Sequence, residues 1–276
     1  MNAELQRRLG LSLVAFYGLG TIIGAGIYVL VGEVAGVAGP HIAWAFMLAG
    51  IIAALTGTCY AELSTRFPAA AGAVLYIDQA FSSKTLSQVT GALVMFTGIV
   101  SAATISRGFV GYLDLYVNIQ DWLAIFLLCL LLGAIAILGV RESASAVALI
   151  TVLEILGLVL VIVLVSRTPL ASGIKPVETF PPGTIVLGAF LAFYAFIGFE
   201  DMVNLAEEMK TAERDMPRAI FIAIGVSTLL YLGIAMVAAR HTDLEELAVS
   251  GSPLAYMLGD NSLAVLAIGM IGLIAI

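Results

Sequence analysis

Long apolar segments recur along the whole chain, and short polar segments separate them. A helix that spans a membrane needs about 20 consecutive, mostly apolar residues. Runs that meet or approach this length predict eight helices, over residues 11–32, 41–61, 87–113, 122–140, 146–166, 183–206, 218–239 and 262–276. The last run is shorter than a complete span. We therefore predict an all-α, polytopic membrane protein with about seven complete transmembrane helices and a partial eighth, inside which we expect the chain to stop.

The composition agrees with this interpretation. Of the 276 residues, 61% are hydrophobic and 11% are charged, whereas about 25% of residues are charged in soluble domains. The 12 Lys and Arg residues divide unevenly between the two predicted sides of the membrane. The side that carries the N-terminus has eight of them: Arg7, Arg8, Arg66, Lys84, Arg141, Lys210, Arg214 and Arg218. Basic residues are in excess in cytoplasmic loops, so we expect a multi-pass protein of the plasma membrane with a cytoplasmic N-terminus.

The first predicted helix contains four glycines within Gly18–Ile27. Each glycine weakens a helix by roughly 1 kcal/mol relative to alanine, so this segment favours an opened backbone. Inside a membrane, opened backbone is tolerated only where protein encloses it or it lines a cavity. The pattern thus predicts a substrate site built from main-chain groups. Close helix packing through small residues is the alternative.

A second interrupted segment lies in the sixth predicted helix, where Phe193–Asp201 places a glycine and two acids within an apolar run. Both interruptions are about 13–23 Å into a hydrocarbon layer about 30 Å thick if the helices begin near Leu11 and Gly183. Paired interruptions at equal depth are typical of transporters built from inverted repeats, with the substrate near the membrane centre. We therefore favour a substrate site.

Several motifs together resemble the amino acid–polyamine–organocation superfamily, and most closely its cationic amino acid transporter branch. The first-helix motif is matched by Gly20–Tyr28, the second-helix motif by Tyr60–Leu63, and the sixth-helix motif by Phe196–Glu200 followed by Ala206–Lys210. The resemblance covers essentially the whole chain. It implies a leucine-transporter-type inverted repeat, with a first five-helix repeat over residues 1–170 and an incomplete second repeat over 183–276.

The resemblance also implies how an amino acid is held. Backbone N–H groups would bind its carboxylate at Thr21, Gly24, Ala25 and Gly26. Backbone carbonyls would bind its α-ammonium group at Ile22, Tyr194, Ala195 and Ile197. Tyr194 matches the position at which relatives place an aromatic ring over the substrate, and core packing is the alternative role for this residue. No acid is visible near Ser101 on the third helix, which favours a neutral amino acid over a cationic one.

Two acids in apolar helices are candidates for ion coupling. Glu154 lies near the centre of the fifth helix, where an ionisable residue is costly and is by default a functional candidate. It stands where proton-coupled relatives carry a lysine. It could exchange a proton, bind sodium, or only donate a structural hydrogen bond. Glu200 follows the second interruption. We expect it, rather than its neighbour Asp201, to face the pocket, because adjacent helical residues point about 100° apart.

The predicted function is secondary active transport of an amino acid by alternating access, coupled to a proton or to sodium. The alternative is a truncated, non-transporting membrane remnant or assembly partner. No Ser-His-acid set, metal cluster or phosphate-binding loop is visible, so we expect no enzyme, cofactor or metal site. No basic stripe suits a nucleic acid. We expect Cys59 and Cys129 to be buried, reduced thiols, the segment 67–84 to lie along the membrane interface, and Pro217 to stand in the first turn of the seventh helix.

Overall fold

The computed structural model describes residues 9–70, 72–138, 144–170 and 182–276. In this part of the chain, two short 3₁₀ helices cover Gly39–His41 and Asp201–Glu208. The α-helices are α1 (Leu11–Ala38), α2 (Ile42–Arg66), α3 (Gly72–Phe81), α4 (Lys84–Leu113), α5 (Asp121–Leu138), α6 (Ala144–Val165), α7 (Pro182–Tyr194), α8 (Ala212–His241), α9 (Leu244–Val249), α10 (Pro253–Tyr256) and α11 (Ser262–Ala275). The prediction of an all-α protein is confirmed.

Within the part of the chain that the structure describes, four segments are long and apolar enough to cross a membrane, namely Leu11–Arg66, Lys84–Leu113, Val147–Val165 and Ala212–His241. The first of them, at 56 residues, contains both α1 and α2. Helices α5, α7 and α11 are apolar but shorter. These helices agree with a multi-pass membrane protein. The number of spans and the inverted repeat stay predictions.

Helix α1 is the centre of the structure. It packs against α6, α7, α8 and α9, while α2 packs against α7 and α8. Its buried residues extend from Val14 to Ala38, on both sides of the glycine-rich segment. Helices α4 and α5 lie at the periphery and expose large apolar side chains such as Met95, Phe96 and Leu131. Such surfaces suit a lipid environment, in which apolar side chains need no burial against protein.

Two sequence predictions about individual residues are wrong. Helix α8 begins at Ala212, so Pro217 lies in its second turn and not in its first. The residues before Pro217 continue the helix, and the Asp215 N–H donates to the Thr211 carbonyl at 2.9 Å. Cys59 and Cys129 are exposed on the outer faces of α2 and α5. Apolar sequence around a cysteine does not distinguish the protein interior from a lipid-facing surface.

Other predictions fall partly or wholly outside the described residues. Arg7, Arg8 and Arg141 lie outside them, as does most of the connection between the predicted helices over 146–166 and 183–206. The segment 67–84 does contain a helix, α3, which buries Tyr76 and exposes Phe81. Its position relative to a membrane stays a prediction.

Leu9, just before α1, pairs with the segment that follows the Asp201–Glu208 helix. Its N–H donates to the Glu208 carbonyl at 3.0 Å, and its carbonyl accepts from the Lys210 N–H at 3.0 Å. On the same side, the Glu207 carboxylate accepts from the Ala70 N–H at 2.8 Å. These bonds join the entry of α1, the α2–α3 connection and the end of the second interrupted segment.

Candidate functional site

Helix α1 is interrupted at Gly24, whose φ of −28° and ψ of −122° lie outside the helical range. The predicted opening of the glycine-rich segment is therefore present. On its N-terminal side, the Thr21 hydroxyl lies 3.0 Å from the Gly18 carbonyl oxygen and 3.3 Å from that of Gly198. The second of these contacts reaches across to the other interrupted segment.

The second interruption follows α7, which ends at Tyr194, and precedes the 3₁₀ helix Asp201–Glu208. Gly198 has φ of +129°, a backbone conformation that glycine adopts without steric cost. The Gly198 N–H donates to a carboxylate oxygen of Glu200 at 2.8 Å. Glu200 therefore stabilises the opened segment from within. Its neighbour Asp201 is exposed, whereas Glu200 is half-buried.

The two interrupted segments contact each other through their backbones. A Cβ atom added to Gly26 would lie 2.8 Å from the Ala195 carbonyl oxygen. A Cβ atom added to Gly198 would lie 2.6 Å from the Thr21 carbonyl oxygen. Glycine at both positions permits this approach. The glycines thus serve close helix packing as well as opening of the helix.

A cavity of about 210 Å³ lies beside the two interruptions. Its wall combines residues of the first interruption, the second interruption, α4 and the end of α11. The lining consists of Gly20, Thr21, Gly24, Ala25, Gly26, Val29, Leu30, Thr104, Ile105, Tyr194, Ile197, Ala275 and Ile276. None of these residues is charged. The cavity offers main-chain groups and apolar side chains, with two threonine hydroxyls and one phenol.

Most of the predicted substrate-binding residues meet at this cavity. Thr21, Gly24, Ala25, Gly26, Tyr194 and Ile197 line it. Ile22 and Ala195 do not, and both are buried, at 1% and 0% exposure. Their carbonyl oxygens instead lie 2.7 Å and 2.9 Å from the hydroxyl of Tyr231 on α8. A hydroxyl has one proton, so Tyr231 shares it between the two carbonyls.

Tyr194 forms part of the cavity wall; the family resemblance implied an aromatic ring over the substrate at this position. Its hydroxyl is buried and has no hydrogen-bond partner among the described residues. A buried phenol usually finds such a partner. Tyr194 therefore keeps an unpaired, buried hydroxyl at the cavity wall among the described residues.

Glu154 on α6 is 3% exposed and does not line the cavity. One carboxyl oxygen lies 4.0 Å from the position that a Cβ atom of Gly24 would take. The other oxygen is buried and has no hydrogen-bond partner in the described part of the chain. None of the salt bridges found there includes Glu154. The carboxyl group is therefore close to the first interruption and has no basic partner among the described residues.

Two buried tyrosines, Tyr28 and Tyr112, link α1 to its neighbouring helices about one turn beyond the first interruption. The Tyr28 hydroxyl donates to the main-chain carbonyl of Glu154 at 3.1 Å. The Tyr112 hydroxyl, from α4, donates to the carbonyl of Tyr28 at 2.8 Å. These two bonds connect α1 to α6 and to α4 next to the cavity.

Sequence reasoning missed Tyr231 and the lining residues Val29, Leu30, Thr104 and Ile105. Tyr231 could have been noticed as a hydroxyl within an apolar helix, since such a group needs a partner in the membrane interior. On the third predicted helix, Ser101 marked the position near which we looked for an acid that could pair with a cationic substrate. Thr104 and Ile105, about one turn further along α4, are the residues that reach the cavity.

Comparison with known proteins identifies the family. A family model described as "Amino acid permease" matches residues 9–276. The chain belongs to this amino acid permease family. Its relatives are named as transporters or permeases, so the prediction of a permease-family protein rather than an enzyme is confirmed.

Three relatives illustrate the range of the family. Cationic amino acid transporter 9, chloroplastic, of Arabidopsis thaliana is 32% identical over 261 residues, which are 85% of this chain and 45% of the relative. Inner membrane transport protein YbaT of Escherichia coli (strain K12) is 30% identical over 260 residues, 90% of this chain and 60% of the relative. Branched-chain amino acid permease BcaP of Bacillus subtilis (strain 168) is 25% identical over 276 residues, 92% of this chain and 59% of the relative. The chain thus spans about half the length of these relatives.

Proposed function

We propose that this chain binds an amino acid at the two helix interruptions and moves it across a membrane by alternating access, as a secondary active transporter. The observation that carries the proposal is the cavity, because residues of both interruptions line it. Interrupted helices that meet at a cavity are the way in which many transporters bind small polar substrates within a membrane.

The substrate carboxylate would bind the N–H groups of Thr21, Gly24, Ala25 and Gly26, which all line the cavity. The N-terminus of a helix segment carries a partial positive charge that favours an anion. The α-ammonium group would contact the carbonyls of Tyr194 and Ile197. The carbonyls of Ile22 and Ala195 contribute indirectly in this proposal, since both accept from Tyr231.

The lining favours amino acids with a neutral, apolar side chain as substrates. Val29, Leu30, Ile105 and Ile276 contribute apolar surface, and no lining residue is charged. A cationic side chain would lose its hydration here without gaining a carboxylate partner. The Arabidopsis relative is named for cationic amino acids and the Bacillus relative for branched-chain ones. The uncharged, largely apolar lining suits branched-chain amino acids better than cationic ones.

Glu154 is the residue that we propose for ion coupling, with a proton as the coupled ion. The carboxyl group is buried, has one unpaired oxygen and lies behind Gly24, where a change in the first interruption would alter its surroundings. Sodium is the alternative ion, because carboxylate oxygen also suits hard cations. Glu200 is a second candidate, although its bond to the Gly198 N–H gives it a structural role already.

The larger arrangement follows the family resemblance. We propose a first five-helix repeat over residues 1–170, an incomplete second repeat over 183–276, and a location in the plasma membrane with a cytoplasmic N-terminus. The uneven distribution of Lys and Arg in the sequence supports this orientation.

The test is binding and transport by the purified protein. Binding of radiolabelled L-leucine in detergent would be measured in competition with unlabelled L-leucine, L-arginine and 4-methylpentanoic acid, which lacks the α-amine. Uptake of L-leucine into proteoliposomes would follow. We expect saturable binding, strong competition by L-leucine, and weak competition by the other two compounds.

The same experiment separates the alternatives. Strong competition by L-arginine would contradict the neutral substrate class while preserving amino acid binding. Absence of binding and uptake for every amino acid tested would favour the non-transporting remnant or assembly partner.

A further inference from the structure

The hydroxyl of Tyr231 lies at the point where the two helix interruptions converge. It is 2.7 Å from the carbonyl oxygen of Ile22, before the first interruption, and 2.9 Å from that of Ala195, within the second. Tyr231 itself belongs to α8 and is fully buried, with 0% exposure. One side chain from a third helix therefore joins both opened segments.

Packing fixes the position of this hydroxyl. The Tyr231 ring contacts the Phe196 ring edge to face, with centroids 5.0 Å apart, and the Phe46 ring in the same way, with centroids 5.7 Å apart. Aromatic pairs in this geometry are favourable beyond their burial and restrict rotation of the ring. The phenol oxygen is thus held in place by contacts that do not involve the hydroxyl.

Carbonyl groups beside a helix interruption need a donor. Opening a helix removes the intrahelical partners of nearby carbonyl groups, and a buried carbonyl without a partner is costly. In other transporters with interrupted helices, such carbonyls coordinate the coupling cation. Here a neutral hydroxyl lies between the two carbonyls instead.

We propose that Tyr231 is a positioning residue for substrate binding: its hydroxyl holds the two interrupted segments together and so sets the main-chain groups that line the cavity. The proposal rests on the proposed function. It assigns Tyr231 to the part of the site that binds the constant groups of an amino acid, the carboxylate and the ammonium. The side chain of the substrate contacts other residues, such as Ile105.

This role has a consequence that a purely structural role lacks. Loss of the Tyr231 hydroxyl weakens binding of every amino acid by the same factor, because all share the same main-chain groups. A structural defect would lower the amount of folded protein and the maximal uptake, but it would leave the affinity of the folded fraction unchanged.

The test compares Tyr231→Phe with Tyr112→Phe. Both tyrosines have 0% exposure. Both hydroxyls donate to α1 carbonyls at similar distances, 2.7 Å to Ile22 and 2.8 Å to Tyr28. Only the Tyr231 bond also reaches the second interruption. Each substitution retains the ring, so the variants match in burial and differ in where the bond is lost.

The dissociation constants of L-leucine and L-alanine would be measured for both variants. We expect Tyr231→Phe to raise both constants by about tenfold, the effect of losing one well-placed hydrogen bond, with their ratio unchanged. Tyr112→Phe should change them by less than about twofold, well below the effect of one such bond. Equal weakening in the two variants, or unchanged affinity in Tyr231→Phe, would overturn the proposal.

Hydrogen–deuterium exchange without amino acid gives a second, independent readout. We expect amides in residues 22–26 and 195–199 to exchange faster in Tyr231→Phe than in Tyr112→Phe, because the interruptions are held less firmly. Unchanged exchange in both segments would contradict the positioning role. If the wild-type protein binds neither amino acid, the proposed function fails, and the exchange measurement alone then decides whether Tyr231 holds the two segments together.

Discussion

Gly26 faces Ala195 so closely that a Cβ atom on Gly26 would lie 2.8 Å from the Ala195 carbonyl oxygen and 2.9 Å from its Cα atom. Both of these atoms belong to the backbone, so no side chain can rotate away to make room. The first interruption therefore packs directly against the second, and only a Cα hydrogen of Gly26 fits at the point of contact. This contact makes the cavity sensitive to any increase in size at Gly26.

Replacement of Gly26 by valine should abolish L-leucine binding while membrane insertion is retained. The added side chain would separate the two interruptions and disturb the main-chain groups along the cavity. Gly24→Val should act similarly, because its Cβ atom would lie 3.0 Å from the Ala275 carbonyl oxygen. Binding assays with protein purified from the membrane fraction would measure both effects.

Gly133→Val is a suitable control, since a Cβ atom at Gly133 meets no atom of the described residues within 4 Å. It should bind L-leucine as the wild type does. Unchanged affinity in both Gly24→Val and Gly26→Val would show that these glycines serve only helix packing.

Replacement of Tyr194 by alanine should weaken L-leucine binding by about 1–3 kcal/mol, through loss of the apolar surface that the ring buries against the substrate. The preference among amino acids of different size should also change, because part of the cavity wall is removed. Competition experiments with glycine, L-alanine and L-leucine would measure that preference. An equal loss for all three, accompanied by a lower melting temperature, would assign Tyr194 to core packing.

Replacement of Glu154 by glutamine should separate exchange from accumulation. Glutamine keeps the shape of the side chain but cannot exchange a proton. Exchange of L-leucine down its own gradient should persist in proteoliposomes, uptake driven by a proton gradient should be lost, and the pH dependence of uptake should flatten. Glu33→Gln changes an exposed glutamate of α1 and should leave all three properties intact.

Two other outcomes would redirect the assignment of Glu154. Sodium-dependent uptake in the wild type that Glu154→Gln abolishes would make the residue a cation ligand. Normal accumulation with an unchanged pH response in Glu154→Gln would leave it as a structural hydrogen-bonding group, with Glu200 as the next candidate for coupling.

Gly111 on α4 should tolerate no larger residue. A Cβ atom there would clash with the carbonyl oxygen of Gly251, in the connection between α9 and α10. Gly111→Ala should destabilise the protein by about 1–3 kcal/mol, as overpacking does. Gly98→Ala, on the same helix with no atom within 4 Å, should be neutral or slightly stabilising. Melting temperatures of the two variants in detergent would test this difference.

The sequence was informative where the backbone itself carries the signal. Glycine density predicted the opening near Gly24, and the acid-flanked glycine predicted the opening near Gly198, because both reflect local helix stability. The sequence was less informative about the direction in which side chains point. Tyr231, Ile105 and Cys59 lie in apolar helices, and hydropathy alone does not say whether such a residue faces a cavity, another helix or lipid. Those directions depend on how distant helices pack.

The pairing of Leu9 with residues 208–210 also bears on the order of folding. Its two hydrogen bonds close a loop of about 200 residues, for which the chain-entropy cost is about 5 kcal/mol or more. Two such bonds contribute only about 1–3 kcal/mol in total. The pairing therefore forms after the helices between its partners have assembled, and a spectroscopic label at Leu9 would report the completion of folding rather than its beginning.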